Sequence, residues 1–209
     1  MILSVETSTR AFSVSLFEDI EIANIELKYD VTHSQNIVSA VEFLLKSINK
    51  SINDVDEIYA GCGPGSFSGI RIGLSFVNTI YQSTGIPLLG ISSLDLLAFE
   101  GGKWYNPAVS FIRSRRDEVY TAFYNSGKRI TEYLALTKRD FLVFIKENNP
   151  LYLISSEEDY RSIAGEDECL ALERVITYPK ARNACLLARE CGLKSEKRYL
   201  KPLYVRGFY

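Results

Sequence analysis

Gly61-Cys62-Gly63-Pro64-Gly65-Ser66-Phe67-Ser68-Gly69-Ile70-Arg71 places four glycines and a proline between two ordered segments. Residues 57–62 ahead of it read as a buried strand. Residues from about Ser68 to Thr84 behind it read as a helix. A strand-to-helix turn of this kind gathers backbone N–H groups at a helix N-terminus, which suits an anion. It lacks the Gly-Lys-Ser/Thr ending of a P-loop, so no lysine is offered to a phosphate. A tight turn whose glycines permit close packing is the other reading. Glu6-Thr7-Ser8-Thr9 has the same two readings: a phosphate-holding turn at a strand end, or hydroxyl residues bonding to their own backbone. Together these stretches make Thr7, Ser8, Gly63, Gly65 and Ser66 the candidate nucleotide or anion loop.

The chain before the loop opens with three strand-like stretches, 1–6, 11–17 and 20–28. Ala11-Phe12-Ser13-Val14-Ser15-Leu16-Phe17 alternates as a half-buried strand does, and the short links imply an antiparallel meander. Thr32-His33-Ser34-Gln35 fits a capping box. Ile37, Val41, Leu44, Leu45 and Ile48 then recur at helical spacing.

The helix after the loop carries more apolar surface than one sheet can cover. At ~100° per residue, Ile70, Leu74, Val77 and Tyr81 share a face. Ile72, Phe76 and Ile80, with Gly69 and Gly73, widen the arc. Gly69-x-x-x-Gly73 would admit a second helix, and Ala40 and Phe43 lie off the main stripe of the preceding helix. These residues mark a candidate interface, with the rest of this chain or with another molecule.

The order of elements then restarts. Strand-like stretches at 108–112, 118–124 and 129–134 precede a helix at 137–147, a strand at 151–154 and further helical segments. Two copies of one plan follow, split near Gly101-Gly102: an N-terminal half, 1–102, and a smaller C-terminal half, 103–209. The last helix, about 180–192, is expected to pack back on the first half.

Composition sets limits. The 209 residues are 46% apolar and carry 24 Lys+Arg against 26 Asp+Glu, net −2. That suits a folded α/β protein and argues against a surface wholly devoted to nucleic acid. No basic leader with an apolar core and no ~18-residue apolar run is present, so the expectation is a cytoplasmic protein without membrane contact. Cys62, Cys169, Cys185 and Cys191 form no Cys-x-x-Cys pair and read as reduced thiols. His33 is the single histidine, and one histidine makes no two-histidine metal site. Residues 157–173 hold seven acids. Residues 180–206 hold eight basic residues, a solvated face or a strip for RNA or an acidic partner. Arg113-Ser114-Arg115-Arg116 could meet phosphate or pair with Asp117 and Glu118 across a turn.

Ile2–Thr9, His33-Ser34, the Gly63–Arg71 stretch, Asp117-Glu118-Val119-Tyr120 and Pro202-Leu203-Tyr204-Val205-Arg206 together resemble the TsaB (YeaZ) family. The resemblance covers nearly the whole chain. It implies two related α/β halves of the actin-like ATPase fold (ASKHA, ribonuclease H-like). Each half would be a mixed sheet with an antiparallel three-strand meander and flanking helices. It further implies a non-catalytic, glycoprotease-like subunit, required for threonylcarbamoyl transfer to adenosine 37 of transfer RNAs reading codons that begin with A. Such a subunit dimerises with a TsaD-type catalytic subunit through Ala40, Phe43, Gly69, Ile72, Gly73, Phe76 and Ile80. A TsaE-type ATPase is a further partner, and the chain is a homodimer when alone. It contacts tRNA only through the complex, holds no metal or cofactor by itself, and leaves ATP or ADP to the complex junction. The alternative is an actin-like ATPase or metallopeptidase with its own activity.

Overall fold

The computed structural model describes residues 1–28, 33–100, 102–114, 117–163 and 172–205. The chain divides into two compact units. One is Met1–Leu96 with Pro179–Leu203; the other is Leu97–Tyr178, to which Tyr204 and Val205 also belong. The division falls ahead of Gly102, and the segment from Pro179 joins the first unit. Gly101, Thr32 with the capping box built on it, Arg115, Arg116 and Cys169 lie outside the described residues.

In the first unit β1 (Ile2–Glu6), β2 (Phe12–Phe17) and β3 (Glu21–Leu27) make the antiparallel meander. α1 (His33–Ser47) leads to β4 (Glu57–Gly61), which lies parallel to β1. α2 (Phe67–Thr84) leads to β5 (Leu88–Ile91), parallel to β4. The sheet order is β3-β2-β1-β4-β5. Leu3 and Val5 pair with Leu16 and Val14, so one face presents aliphatic side chains. Ile37, Val41, Leu44 and Leu45 of α1 and Ile70, Leu74 and Val77 of α2 bury against that face.

The opposite face corrects the half-buried reading of β2. Every residue of Phe12–Phe17 is buried. Successive side chains of a strand point to opposite faces, and the serines face the last helix, α6 (Ala181–Cys191). The Ser4 hydroxyl donates to the Ala181 carbonyl at 2.7 Å, and the Ala181 N–H donates to Ser13 Oγ at 2.8 Å. Ala181, Ala184 and Ala188 are buried there, so small side chains meet small side chains. Serine alternation marks a helix-covered face here, not a wet one.

Beyond α6 the chain straps the sheet edge. Glu196 and Leu88 exchange both backbone bonds, at 2.9 and 2.8 Å. Leu200 is buried in the aliphatic core. The Asn78 side chain both donates to the Leu200 carbonyl (3.0 Å) and accepts its N–H (2.9 Å). The Leu203 N–H donates to the Cys62 carbonyl at 2.8 Å.

α3 (Ser93–Ala98) ends the first run of the first unit and enters the second. A short hairpin follows, β6 (Phe99–Glu100) with β7 (Lys103–Trp104). Then come β8 (Ala108–Arg113), β9 (Glu118–Asn125), β10 (Lys128–Arg129) and β11 (Leu134–Thr137). α4 (Lys138–Asn148), β12 (Tyr152–Ser155), α5 (Glu157–Ile163) and β13 (Glu173–Ile176) complete it. The order is β10-β9-β8-β12-β13, with β11 also on β9. The expected third strand at 129–134 is thus two short ones, because the chain leaves β9 after Arg129 and rejoins it at Leu134. Val109, Phe111, Phe123, Phe141, Ile145 and Leu153 are buried in this unit's own core. The first unit runs three strands, a helix, a strand, a helix and a strand, and the second repeats that order from β8 with its third strand split into β10 and β11, the repeated α/β plan of the actin-like fold.

Candidate functional site

The glycine loop and the β1–β2 turn come together at the C-terminal ends of β1 and β4. β1 and β4 run parallel with Val5 beside Ala60, so Glu6 projects where a side chain on Gly61 would lie. A Cβ at Gly61 would sit 1.8 Å from Glu6 Oε2. The Glu6 carboxylate is fully buried. It accepts the Ser8 N–H and, at 3.1 Å, the Ser93 hydroxyl. Burial pushes its carboxyl above the usual carboxylate range, against the pull of the Ser8 and Ser93 hydrogen bonds. Ser93 is tied in turn to the loop, its N–H donating to the Gly63 carbonyl at 2.8 Å.

The structure brings the five anion-loop candidates together and ties several of their polar groups within the unit. The Ser66 N–H donates to the Ser8 carbonyl at 2.6 Å. The Thr7 hydroxyl donates to the Gly69 carbonyl at 2.8 Å. A Cβ on Gly65 would lie 2.2 Å from the Ser8 carbonyl oxygen, and one on Gly69 would lie 2.1 Å from that of Thr7. Ser66 Oγ caps α2, accepting the Gly69 N–H at 3.3 Å. The glycines serve close backbone approach, the second of the two readings. Cys62, beside Glu6, is buried, and burial with the Glu6 charge second pushes its thiol up to about 12.

The interface candidates separate into four groups. Gly69 and Gly73 are buried against Thr7 of their own unit, with a Cβ on Gly73 placed 2.3 Å from Thr7 Oγ1. This corrects the expectation that the pair admits a second helix, since the β1–β2 turn already fills that groove. Ala40 is buried in the core. Ile72, Phe76 and Ile80 are half-buried against it. Phe43 is 65% exposed. Val38 on α1 and Phe67 at the start of α2, at 56% and 52% exposed, extend the apolar surface. Val38 flanks the buried stripe of α1, where periodicity alone does not separate it from the core positions. Phe67 is not legible either, because a first-turn residue has no periodic partner. Its ring lies under the Arg71 guanidinium, 5.2 Å from the centroid.

Elsewhere, Asp117 pairs with Lys138 at 3.5 Å. The backbone of Arg113 bonds to the half-buried Asp159 carboxyl, which desolvation holds above its usual range. In the basic C-terminal stretch, Arg182 pairs with Glu21 at 3.2 Å, and Arg189 donates to the carbonyls of Glu18 and Asp19. Among the described residues no helix is long and apolar enough to cross a membrane.

The family model described as TsaD, tRNA N6-adenosine threonylcarbamoyltransferase, matches residues 27–139, more than half of the chain. The tRNA threonylcarbamoyladenosine biosynthesis protein TsaB of Bacillus subtilis is 30% identical over 153 residues, covering 71% of this chain and 67% of that protein. The Escherichia coli protein of the same name is 35% identical over 127 residues, 59% of this chain and 54% of that one. YeaZ from Pseudomonas aeruginosa superposes with a TM-score of 0.75 at 23% identity, over 98% of this chain and 99% of that one, and shares the fold. By sequence match over most of its length, the chain belongs to the TsaB (YeaZ) family.

Proposed function

We propose that this chain is a non-catalytic subunit in the formation of threonylcarbamoyladenosine in tRNA, and that it works by pairing with a TsaD-type catalytic subunit. Its place in that modification is supported by the names of the related TsaB proteins and by the TsaD-type family model. The observation that carries the pairing is apolar exposure on two adjoining helices. Phe43 and Val38 of α1 stand in solvent, and Ile72, Phe76 and Ile80 of α2 are only half covered. Buried in a helical bundle with a partner, an exposed phenylalanine would gain on the order of 2 kcal/mol. The sequence supports the lack of independent catalysis: it has one histidine and no lysine in the glycine loop.

In this reading the chain is a homodimer through the same helices when its partner is missing. It meets a TsaE-type ATPase only in the complex, leaves ATP or ADP to the junction of the subunits, and works in the cytoplasm. The test is Phe43→Asp. Phe43 contributes little to its own core, so the variant keeps its melting temperature and loses co-purification with the catalytic subunit. Phe76→Asp is a poorer probe, because Phe76 also supports the core. Pairing of Phe43→Asp at wild-type affinity would remove this surface from the account. ATP turnover by the isolated chain would favour the reading as an enzyme.

A further inference from the structure

The strap after α6 has a charge pattern that the pairing reading leaves unused. Lys194, Lys197, Arg198 and Lys201 are all exposed. The one carboxylate between Leu193 and Leu203 is Glu196, and Arg198 takes it at 3.1 Å. Lys194, Lys197 and Lys201 have no ion-pair partner among the described residues. A net charge of −2 over the chain makes this a local concentration, not a consequence of a basic protein.

The strip is also built and held. Glu196 is bonded to Leu88, Leu200 to Asn78 and Leu203 to Cys62. In extended backbone, neighbouring side chains point to opposite sides. Leu200 goes into the core, so Tyr199 and Lys201 on either side of it face out. Tyr199 is 52% exposed. Among the described residues its ring contact is Tyr81, edge to face with centroids 5.1 Å apart and planes at 89°. An edge-to-face contact covers at most one face of a ring, so the contact fixes the Tyr199 ring without enclosing it.

We propose that Lys194–Leu203 is a contact strip for single-stranded RNA, with Lys194, Lys197 and Lys201 against phosphates and Tyr199 under an unpaired base. A row of lysines along a groove or strand with an interleaved open aromatic ring is how single strands are held without sequence readout. Bases of a duplex are already stacked and cannot reach such a ring. An acidic peptide would use the lysines and leave the ring idle. Because the backbone is pinned at three places, little further chain entropy is lost on binding. This inference stands on the strap alone and not on the α1–α2 surface.

The experiment is fluorescence anisotropy of the full chain with a labelled oligouridylate, an RNA duplex and poly-L-glutamate as probes. With about three phosphate contacts the log–log salt slope is roughly −2, so oligouridylate affinity falls roughly twentyfold between about 50 and 200 mM salt. The triple variant Lys194→Ala/Lys197→Ala/Lys201→Ala flattens that slope toward zero. Tyr199→Leu keeps the slope and loses at least about fivefold in affinity for oligouridylate, with no loss on the duplex. Melting temperatures and pairing with the catalytic subunit are measured on each variant and stay at wild-type values. Absence of salt-dependent oligouridylate binding overturns the proposal, as does a slope unchanged in the triple variant. Poly-L-glutamate bound as tightly as RNA, with Tyr199→Leu silent, would reassign the strip to an acidic protein and equally overturn it.

Discussion

Gly69→Ala separates two uses of the same small residue. The added methyl would sit 2.1 Å from the Thr7 carbonyl oxygen. Ordinary contact would require α2 and the β1–β2 turn to part by more than an ångström. The obstacle is backbone, so no side-chain rotation relieves it. Overpacking of this kind costs roughly 1–3 kcal/mol, and the upper end applies where the neighbour cannot turn aside. Parting the two elements also weakens the Thr7 hydroxyl bond to the Gly69 carbonyl, 2.8 Å long here, at a cost of about 1 kcal/mol. Alanine's better helix propensity returns about 1 kcal/mol. The net is a loss of about 3 kcal/mol, or roughly 6–12 °C in melting temperature for a chain of this size. Thermal unfolding followed by circular dichroism reads it directly. Gly73→Ala is the companion variant, because its methyl would meet the Thr7 Oγ1 at 2.3 Å. Adding Thr7→Ala should therefore rescue Gly73→Ala and leave Gly69→Ala impaired. If Gly69→Ala melted at or above the wild-type temperature and lost only its pairing, the glycines would belong to a helix–helix interface and the packing argument would be wrong.

Four further outcomes are expected. Glu6 has a folded pKa raised above its unfolded value, so the folded chain holds a proton that the unfolded chain has released. Stability then falls as pH rises through that window, and the cost persists above it. Glu6→Gln, which can still accept from Ser8 and donate to Ser93 Oγ, should gain on wild type near pH 7 in urea unfolding. The gain should shrink toward pH 4; a difference independent of pH would contradict the assignment. Cys62 and Cys185, both pushed up to about 12 by burial, should resist iodoacetamide at pH 8 while the exposed Cys191 reacts, as read by peptide mass spectrometry. Equal labelling of Cys62 and Cys191 in the folded chain would refute this. Asn78→Ala removes both bonds to the Leu200 backbone and should cost about 2–3 kcal/mol. Hydrogen exchange should quicken at residues 196–203 and not in β8 and β9. Phe43→Asp should abolish pairing without lowering the melting temperature.

Much of the plan is legible from the chain because strands and helices leave different periods. The meander, the loop-flanked helix and the restart after residue 102 are all of that kind. What periodicity does not carry is the identity of the neighbour. Ser4, Ser13 and Ser15 alternate with aliphatic residues just as a wet strand face would, yet their neighbour is an alanine-rich helix from the far end of the chain. Gly69 and Gly73 have helix-dimer spacing, yet the groove they make is filled by Thr7. Ile72, Phe76 and Ile80 stand out as surplus apolar surface, and that surplus is only half real, because the core takes part of each. β13 escapes notice because Glu-Arg-Val-Ile offers too short a run to show alternation. Glu6 at a strand end before three hydroxyl residues fits a phosphate-holding turn and a local turn alike. Its burial depends on Ser93, which no local motif connects to it.

The first unit is written in two instalments, with Leu97–Tyr178 of the second unit set between them. On a ribosome its five-stranded sheet therefore emerges with one side bare and one edge unstrapped. It must wait for α6 and Leu200 until the chain has been made to residue 203. The nascent protein spends most of its synthesis as a half-closed sheet whose serine face and β5 edge are open to wrong partners. A stop codon a few dozen residues early would remove no part of the α1–α2 surface and would still leave that unit unable to finish folding.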